Sequence, residues 1–273
     1  MFDLTALAQA LGVHAARFDA DMLPECASTN TELLARAEAG APSGAVLIAE
    51  RQTAGRGRRG RQWFSAPGDS LTFSLLWRFA PGVAPAGLSL AVGLALAEAL
   101  TKVGAGETAR KETAAHAFPP PARDLIRLKW PNDVLKDGKK LAGILVELVP
   151  NTPSAAVIGI GLNLRLPAAM PAELRALSAA LDAPGDPNTL LAAILIELLQ
   201  TLEIFGAQGF AALRARWAAW HAYENAPIRL LSDFAPPRIG ICRGVADDGA
   251  LLFESGGRIE RVLSGEISLR EGW

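Results

Sequence analysis

Gly55-Arg56-Gly57-Arg58-Arg59-Gly60-Arg61-Gln62-Trp63 runs through Pro67-Gly68-Asp69 into Leu71-Thr72-Phe73-Ser74-Leu75-Leu76-Trp77. Gly55, Gly57 and Gly60 have the spacing of a dinucleotide fingerprint, and Gly55 to Gly60 repeats the first half of a P-loop. The fingerprint needs a helix directly afterwards, so that phosphate meets the helix N-terminus. Here a turn and a strand-like run follow, and Arg61-Gln62 stands where a P-loop has Lys-Ser/Thr. Both phosphate motifs therefore fail on context. What remains is a loop whose glycines admit positive φ and close ligand approach. Its arginines offer planar charged forks to carboxylate and phosphate, and Trp63 offers a face for stacking. The pattern describes a mobile loop closing over an anionic, base-containing small molecule. The bland alternative is a solvated basic turn or an RNA-contacting patch.

The surrounding chain bounds the choice. Its 273 residues allow one large domain, or one plus a small one, and half are hydrophobic, enough for a substantial core. The net charge of −1 argues against a dedicated nucleic-acid binder. Cys26 and Cys242 are far apart, which fits a reducing cytosol better than a disulfide scaffold. His14, His116 and His221 are isolated, so no metal-ligand spacing exists and no protein-held metal is expected. No signal peptide is expected, and the apolar stretches carry Glu98, Glu197 and Glu203, which reads as buried helix and not membrane span.

Local patterns predict helices at Asp3 to Leu11, Leu88 to Leu100, Leu190 to Phe205 and Phe210 to His221, with Thr29-Asn30-Thr31 capping another. Strands are predicted at Ala45 to Ala49, Leu71 to Phe79, Leu125 to Trp130, Lys140 to Leu148 and Ala156 to Leu164. The short loops between the last three suggest antiparallel neighbours. Residues 104–124 read as a mobile insertion loop. After Asn225, short strands broken by Gly, Asp and Pro read as a small β-barrel appended to the α/β layer.

Lys129-Trp130-Pro131-Asn132-Asp133-Val134 and Lys140-Leu141-Ala142-Gly143 form the second chemical stretch. A hairpin there places Asn132, Asp133 and Lys140 near one rim. Lys140 suits stabilisation of charge developing on a carboxylate or phosphate, and Asp133 suits orienting that lysine or accepting a proton. Gly143 lets a flat ligand lie on the strand. Ordinary hairpin chemistry, with Asn-Asp in the turn and surface lysines beyond, explains the same residues.

Ser28-Thr29-Asn30, Gln52 with the arginine loop, Lys129 to Val134, Lys140 to Glu147, Gly159-Ile160-Gly161-Leu162-Asn163 and Gly265 to Arg270 together resemble the biotin–protein ligases, in the family's order. The resemblance implies an α+β fold: a mixed, mainly antiparallel sheet flanked by helices, class II synthetase-like, over residues 1–224, with an SH3-like barrel over residues 225–273. It implies ATP with Mg²⁺ and biotin as substrates. Ser28, Thr29, Asn30, Gln52, Gly55, Gly57 and Gly143 would line the biotin site. Arg56 and Arg58 would hold carboxylate and phosphate, Trp63 would stack on adenine, and Asn132, Asn163 and Lys140 would meet the nucleotide. It further implies a biotin carrier domain as acceptor, a cytoplasmic location, no membrane and no DNA partner, because no repressor domain precedes the first strand. A homodimer through the edge of the sheet is compatible with it. Two alternatives stay open at this point: a lipoate or octanoate ligase of the same fold, and an RNA-binding module.

Overall fold

The computed structural model describes residues 2–108, 126–182, 185–232, 236–263 and 267–271. Eleven elements build the larger part: α1 (Leu4–Leu11), β1 (Asp19–Cys26), α2 (Thr29–Glu38), β2 (Ala45–Gln52), β3 (Ser70–Arg78), α3 (Leu88–Thr108), β4 (Ile126–Lys129), β5 (Asp133–Lys136), β6 (Lys139–Val149), β7 (Thr152–Asn163) and the short α4 (Ala172–Ala176). Two more helices follow, α5 (Pro187–Gln208) and α6 (Arg214–Trp220). The sheet order is β1-β2-β3-β7-β6-β5-β4, with β1 and β2 parallel and every other pair antiparallel. This is the expected mixed, mainly antiparallel sheet. The strands β1 and β5 are not among the sequence-based expectations. β1 carries no clean alternation, being half-buried or exposed along its whole length, and β5 is only four residues long between two turns.

Successive side chains on a strand point to opposite faces, and β3 and β7 use this strictly. Leu71, Phe73, Leu75, Ile158, Ile160 and Leu162 are buried on one face and belong to the main core. The helices α3 and α5 pack together in the same core, where α1 adds Leu7 and Leu11. Ser70, Thr72, Ser74, Gly159, Gly161 and Asn163 occupy the opposite face. Cross-strand register sets Ser70 against Asn163, Thr72 against Gly161 and Ser74 against Gly159. α2 covers one end of this second face through Leu33 and Ala37, beside Leu47, Leu76 and Val157. The glycine end carries no helix, and the functional cavity lies there.

α3 runs to Thr108, eight residues past the predicted end at Leu100. The N-terminal part of the expected insertion is thus helix, and residues 109–124 lie outside the described residues. α5 is long and apolar enough to cross a membrane by length and composition, but most of it is buried inside the fold. Its Glu197 accepts a salt bridge from Lys102 of α3, and Arg216 of α6 reaches Glu98 at 2.6 Å. These pairs satisfy the acidic residues that interrupt the apolar stretches.

The last five strands, β8 (Pro227–Ser232), β9 (Arg238–Val245), β10 (Leu251–Ser255), β11 (Arg258–Val262) and β12 (Ile267–Glu271), form a separate antiparallel sheet in the order β11-β10-β9-β8-β12. This matches the expected small, SH3-like all-β unit. Gly265 and Glu266 of the terminal motif lie outside the described residues. The small sheet shares the core of the larger part and meets it at several points, with Arg214 paired to Asp247 at 3.0 Å. A Cβ on Gly249, in the turn before β10, would stand 2.8 Å from the Cα of Gly87 at the start of α3. Trp130, fully buried, donates its indole N–H to Gly249 O at 3.0 Å. The same Trp130 precedes Pro131, through a cis peptide, and the Asn132-Asp133 corner. The small sheet therefore buttresses the hairpin that carries the chemistry.

Candidate active site

A cavity of about 740 Å³ opens over the glycine end of the sheet. Its lining includes Ser28, Thr29, Asn30, Gln52, Arg56, Gly57, Arg58, Trp63, Asn132, Asp133, Lys140, Gly143 and Asn163. Of the residues expected at the site, only Gly55 stays outside it. Gly55 is buried against the loop's own backbone, where a Cβ would lie 2.6 Å from Trp63 O. The missing side chain lets the loop fold back on itself there.

The floor is built by the start of α2 and the end of β2. Ser28, not Thr29, occupies the N-cap position of α2, and its side chain makes no capping bond. Thr29 is already helical: its N–H donates to Gln52 Oε1 at 2.7 Å, and its hydroxyl oxygen lies 3.1 Å from the same atom. The expected Thr29 cap is thus replaced by a cross-link between α2 and β2. Asn30 is spent inside the protein: its amide nitrogen donates to Leu145 O and Glu147 Oε2, and its Oδ1 accepts from Ser74 at 2.6 Å. A side chain at Gly159 would put its Cβ 2.2 Å from that Oδ1. Gly159 therefore exists to admit Asn30.

The arginine loop is folded down on the sheet. Arg56 pairs with Gln62 through an isolated bridge, Arg58 to Gly60 form one 3₁₀ turn, and Trp63 N–H closes on Gly55 O at 2.9 Å. Gly143 and Gly161 stand directly opposite each other on β6 and β7, and the Trp63 indole occupies the notch they leave. A Cβ on Gly161 would come within 2.3 Å of the indole ring. The loop expected to be mobile thus has an aromatic anchor at one end, an ion pair at Arg56 and a hydrogen bond at Arg58. Arg56 donates to both oxygens of Glu147, at 3.0 and 2.8 Å, and Arg58 donates to Asn132 Oδ1 at 3.3 Å. Burial pulls the Arg58 guanidinium below its ordinary pKa, Asp133 counters this, and Arg59 and Arg61 add to it. A desolvated guanidinium crowded by like charge favours an incoming anion.

Lys140 lies at the opposite wall. Its ammonium is 2.7 Å from Asp133 Oδ1 and 5.7 Å from the Trp63 ring centre. Asp133 Oδ2 also faces Lys129 Nζ at 3.9 Å. Two lysines thus face one carboxylate. Asn132, Asp133 and Lys140 meet at one rim, as the hairpin predicts: Asn132 is locked by Nδ2 donating to Ile144 O at 2.9 Å, and Ile144 N–H returns to Asn132 O. Asn163 donates to Ala179 O at 3.0 Å and thereby clamps the segment after α4 beside Lys140, while its buried Oδ1 has no partner among the described residues. Trp63 Nε1 is likewise buried without a partner.

Ser74, Glu147, Lys129 and Arg229 are functional neighbours absent from the sequence-based list. Ser74 was legible in principle, because Ser-Leu-Thr-Phe-Ser alternates polar and apolar residues along β3. Arg229, on β8 of the small sheet, lines the cavity, and no local pattern marks it.

The profile of the Biotin/lipoate A/B protein ligase family matches residues 23–163. The chain belongs to this family. It is 41% identical over 255 residues to the "Bifunctional ligase/repressor BirA" of Escherichia coli, covering 91% of this chain and 73% of that protein. It is 35% identical over 251 residues to the "Biotin--[acetyl-CoA-carboxylase] ligase" of Mycobacterium tuberculosis, covering 90% and 87%. Among solved structures, the biotin protein ligase from Aquifex aeolicus in complex with biotin and ATP superposes with a TM-score of 0.74 at 29% identity, covering 93% of this chain and 99% of that one. Every matched stretch of the site except the small sheet falls inside the family's 23–163 span.

Proposed function

We infer that this chain is a biotin–protein ligase, using ATP to activate biotin and transferring the biotinyl group to a lysine of a biotin carrier protein. The observation that carries the reading is the single cavity in which a floor of Ser28, Thr29 and Gln52, the arginine loop, the Trp63 face and the Lys140–Asp133 pair converge. Its volume of about 740 Å³ suits a ligand of drug size or slightly larger.

Activation is needed because a carboxylate is a poor electrophile. In the first step a biotin carboxylate oxygen attacks the α-phosphorus of ATP, the bond to pyrophosphate breaks, and biotinyl-5′-AMP forms. In the second, the neutral amine of the carrier lysine attacks the acyl carbon, AMP leaves, and the amine proton is lost to a base or solvent. Ser28, Thr29 and Gln52 are proposed to hold the head of biotin: Gln52 Nε2 and the Ser28 hydroxyl make no hydrogen bond to the described residues. Arg56, Arg58 and Lys140 are proposed to stabilise the carboxylate and the phosphate charge that develops between them, with Asp133 aiming Lys140. Trp63, Asn132 and Asn163 are proposed to receive the nucleotide. Magnesium enters the reaction with ATP, whose phosphates it bridges in such substrates.

Residues 1–224 are proposed as the catalytic unit and residues 225–273 as the appended barrel. A homodimer through the sheet edge is also proposed. Its support is that β5 pairs with β6 only as far as Gly143, which leaves Val146 to Leu148 without a strand partner on that side among the described residues, and Leu148 is exposed. Sedimentation with and without biotin and ATP tests it: a single monomeric species under all conditions rejects it.

Mass spectrometry of a carrier domain incubated with this protein, ATP and biotin tests the activity. The expected result is one added biotinyl group on one lysine, dependent on ATP. Equal or faster transfer of lipoate or octanoate in its place would reassign the chain within its family.

A further inference from the structure

We propose that Glu147 is a positioning residue for Arg56, holding its guanidinium by one nitrogen so that the remainder of the fork is presented to the ligand's anion. The proposal rests on the biotin ligase reading and deepens it. Arg56 uses only Nη2 on Glu147, contacting both carboxylate oxygens. Its Nε and Nη1 make no hydrogen bond to the described residues, and they are the nitrogens left for a carboxylate or phosphate. A carboxylate beside an anion site is ordinarily unfavourable. Here it is neutralised by the very cation it supports, and the rest of the arginine's donors stay unspent.

Glu147 is itself held from behind. Asn30 donates to Glu147 Oε2 at 2.8 Å. Asn30 Oδ1 accepts the single proton of the fully buried Ser74 hydroxyl, and the Ser74 oxygen in turn accepts from the Thr29 hydroxyl at 2.8 Å. The Thr29 backbone N–H donates to Gln52 Oε1 at 2.7 Å. A continuous chain of hydrogen bonds thus runs Gln52–Thr29–Ser74–Asn30–Glu147–Arg56, from the floor of the cavity to the loop. Each interior member is fixed by packing: Asn30 fits only because residue 159 is glycine. The floor that would hold the head of the substrate and the arginine that would hold its carboxylate are parts of one network, so the spacing between them is set by the protein and not by the flexible loop.

The Arg56–Glu147 pair is itself about one-quarter to one-half exposed, with side-chain exposures of 43% and 27%. A pair so open to water contributes little to stability. A positioning role and a merely structural one therefore separate cleanly. The test compares wild type, Glu147→Ala, Glu147→Gln, Arg56→Ala and the Glu147→Ala/Arg56→Ala double variant. It reads the thermal midpoint, the KM for biotin and the single-turnover rate of biotin-dependent pyrophosphate release. Glu147→Ala is expected to raise the KM for biotin by about tenfold, a size typical of coupled contacts, with the midpoint unchanged. Glu147→Gln, which keeps the shape but not the charge, is expected to fall between it and wild type. In the Arg56→Ala background, removing Glu147 should cost nothing further. Additive losses in the double variant, or an unchanged KM in Glu147→Ala, overturn the proposal. If Glu147→Ala fails to fold, the Gln variant decides: a wild-type KM from a folded Gln protein also overturns it. Wild type that releases no pyrophosphate with biotin would instead sink the ligase reading itself, and the two failures are thereby distinct.

Discussion

The two faces of the β3–β7 pair are made from the same strands and have almost nothing else in common. On one face Leu71, Phe73, Leu75, Ile158, Ile160 and Leu162 are buried against α3 and α5. On the other, one residue along in each case, stand the buried Ser70, Thr72 and Ser74, and Gly159, Gly161 and Asn163, which line the cavity. The first face is rich in area removed from water, which is what stabilises a domain. The second gives up that area. Glycine buries no side chain, and the hydroxyls need partners once they leave water. The comparison teaches that this protein places its binding chemistry where the fold can do without hydrophobic surface, and that a shift of one residue along a strand changes a position's purpose from stability to function.

Four substitutions break or sharpen that contrast. Phe73→Ala, on the packed face, should destabilise the protein most, by about 3–5 kcal/mol, the cost of a large cavity in a close-packed core. Denaturant titration measures it, and a loss below about 1 kcal/mol would mean that the face is not the core it looks. Next is Lys140→Ala, at the cavity wall. It should slow adenylate formation by on the order of 3 kcal/mol in the barrier while stability barely moves, because the charge matters most where negative charge develops. Stopped-flow pyrophosphate release checks it, and an unchanged single-turnover rate removes Lys140 from the chemistry.

Gly161→Ala should have a smaller but selective effect. The added Cβ would fall 2.3 Å from the Trp63 ring, so the indole must leave its notch. The expected result is roughly a tenfold rise in the KM for ATP, in line with about 1.4 kcal/mol of lost positioning, and a red-shifted Trp emission. An unperturbed KM would show that the nucleotide does not depend on that ring. Thr72→Val should be the mildest. It removes a buried hydroxyl that donates to Ala49 O at 2.8 Å, leaving the carbonyl short of one partner, and should cost about 1 kcal/mol of stability with kinetics intact. A change in kcat larger than the change in stability would move Thr72 from scaffold to site.

Much of this was legible in the linear order of residues, and the reason is local. The alternation in β3 and β7, the turn at Pro67-Gly68-Asp69, the helical periodicity of α3 and α5 and the glycine–arginine composition of the loop are all decided by neighbours within a few positions, and each appears in the structure close to where it was expected. The site residues also converge, because the motifs sit at strand ends and strand ends meet at one rim. What could not be read is what depends on contacts across the fold. The strands β1 and β5 owe their extended form to pairing with β2 and with β4 and β6. α3 continues past Leu100 with no cap or breaker to announce where it ends.

The same division runs through the site. Chain order by itself determined which chemical groups are available: guanidinium forks on a glycine hinge, an indole, a lysine after an Asn-Asp corner and small residues alternating along two strands. Only the tertiary structure decided how they are spent. Asn30 holds Glu147; Gly159 and Gly161 proved to be sockets for Asn30 and Trp63; and Arg229 arrived from the other sheet. The physical reason is that composition and spacing fix a group's donors, acceptors and charge, whereas a hydrogen bond or a steric notch exists only between two surfaces. Those surfaces are brought together by burial of the opposite face of the sheet.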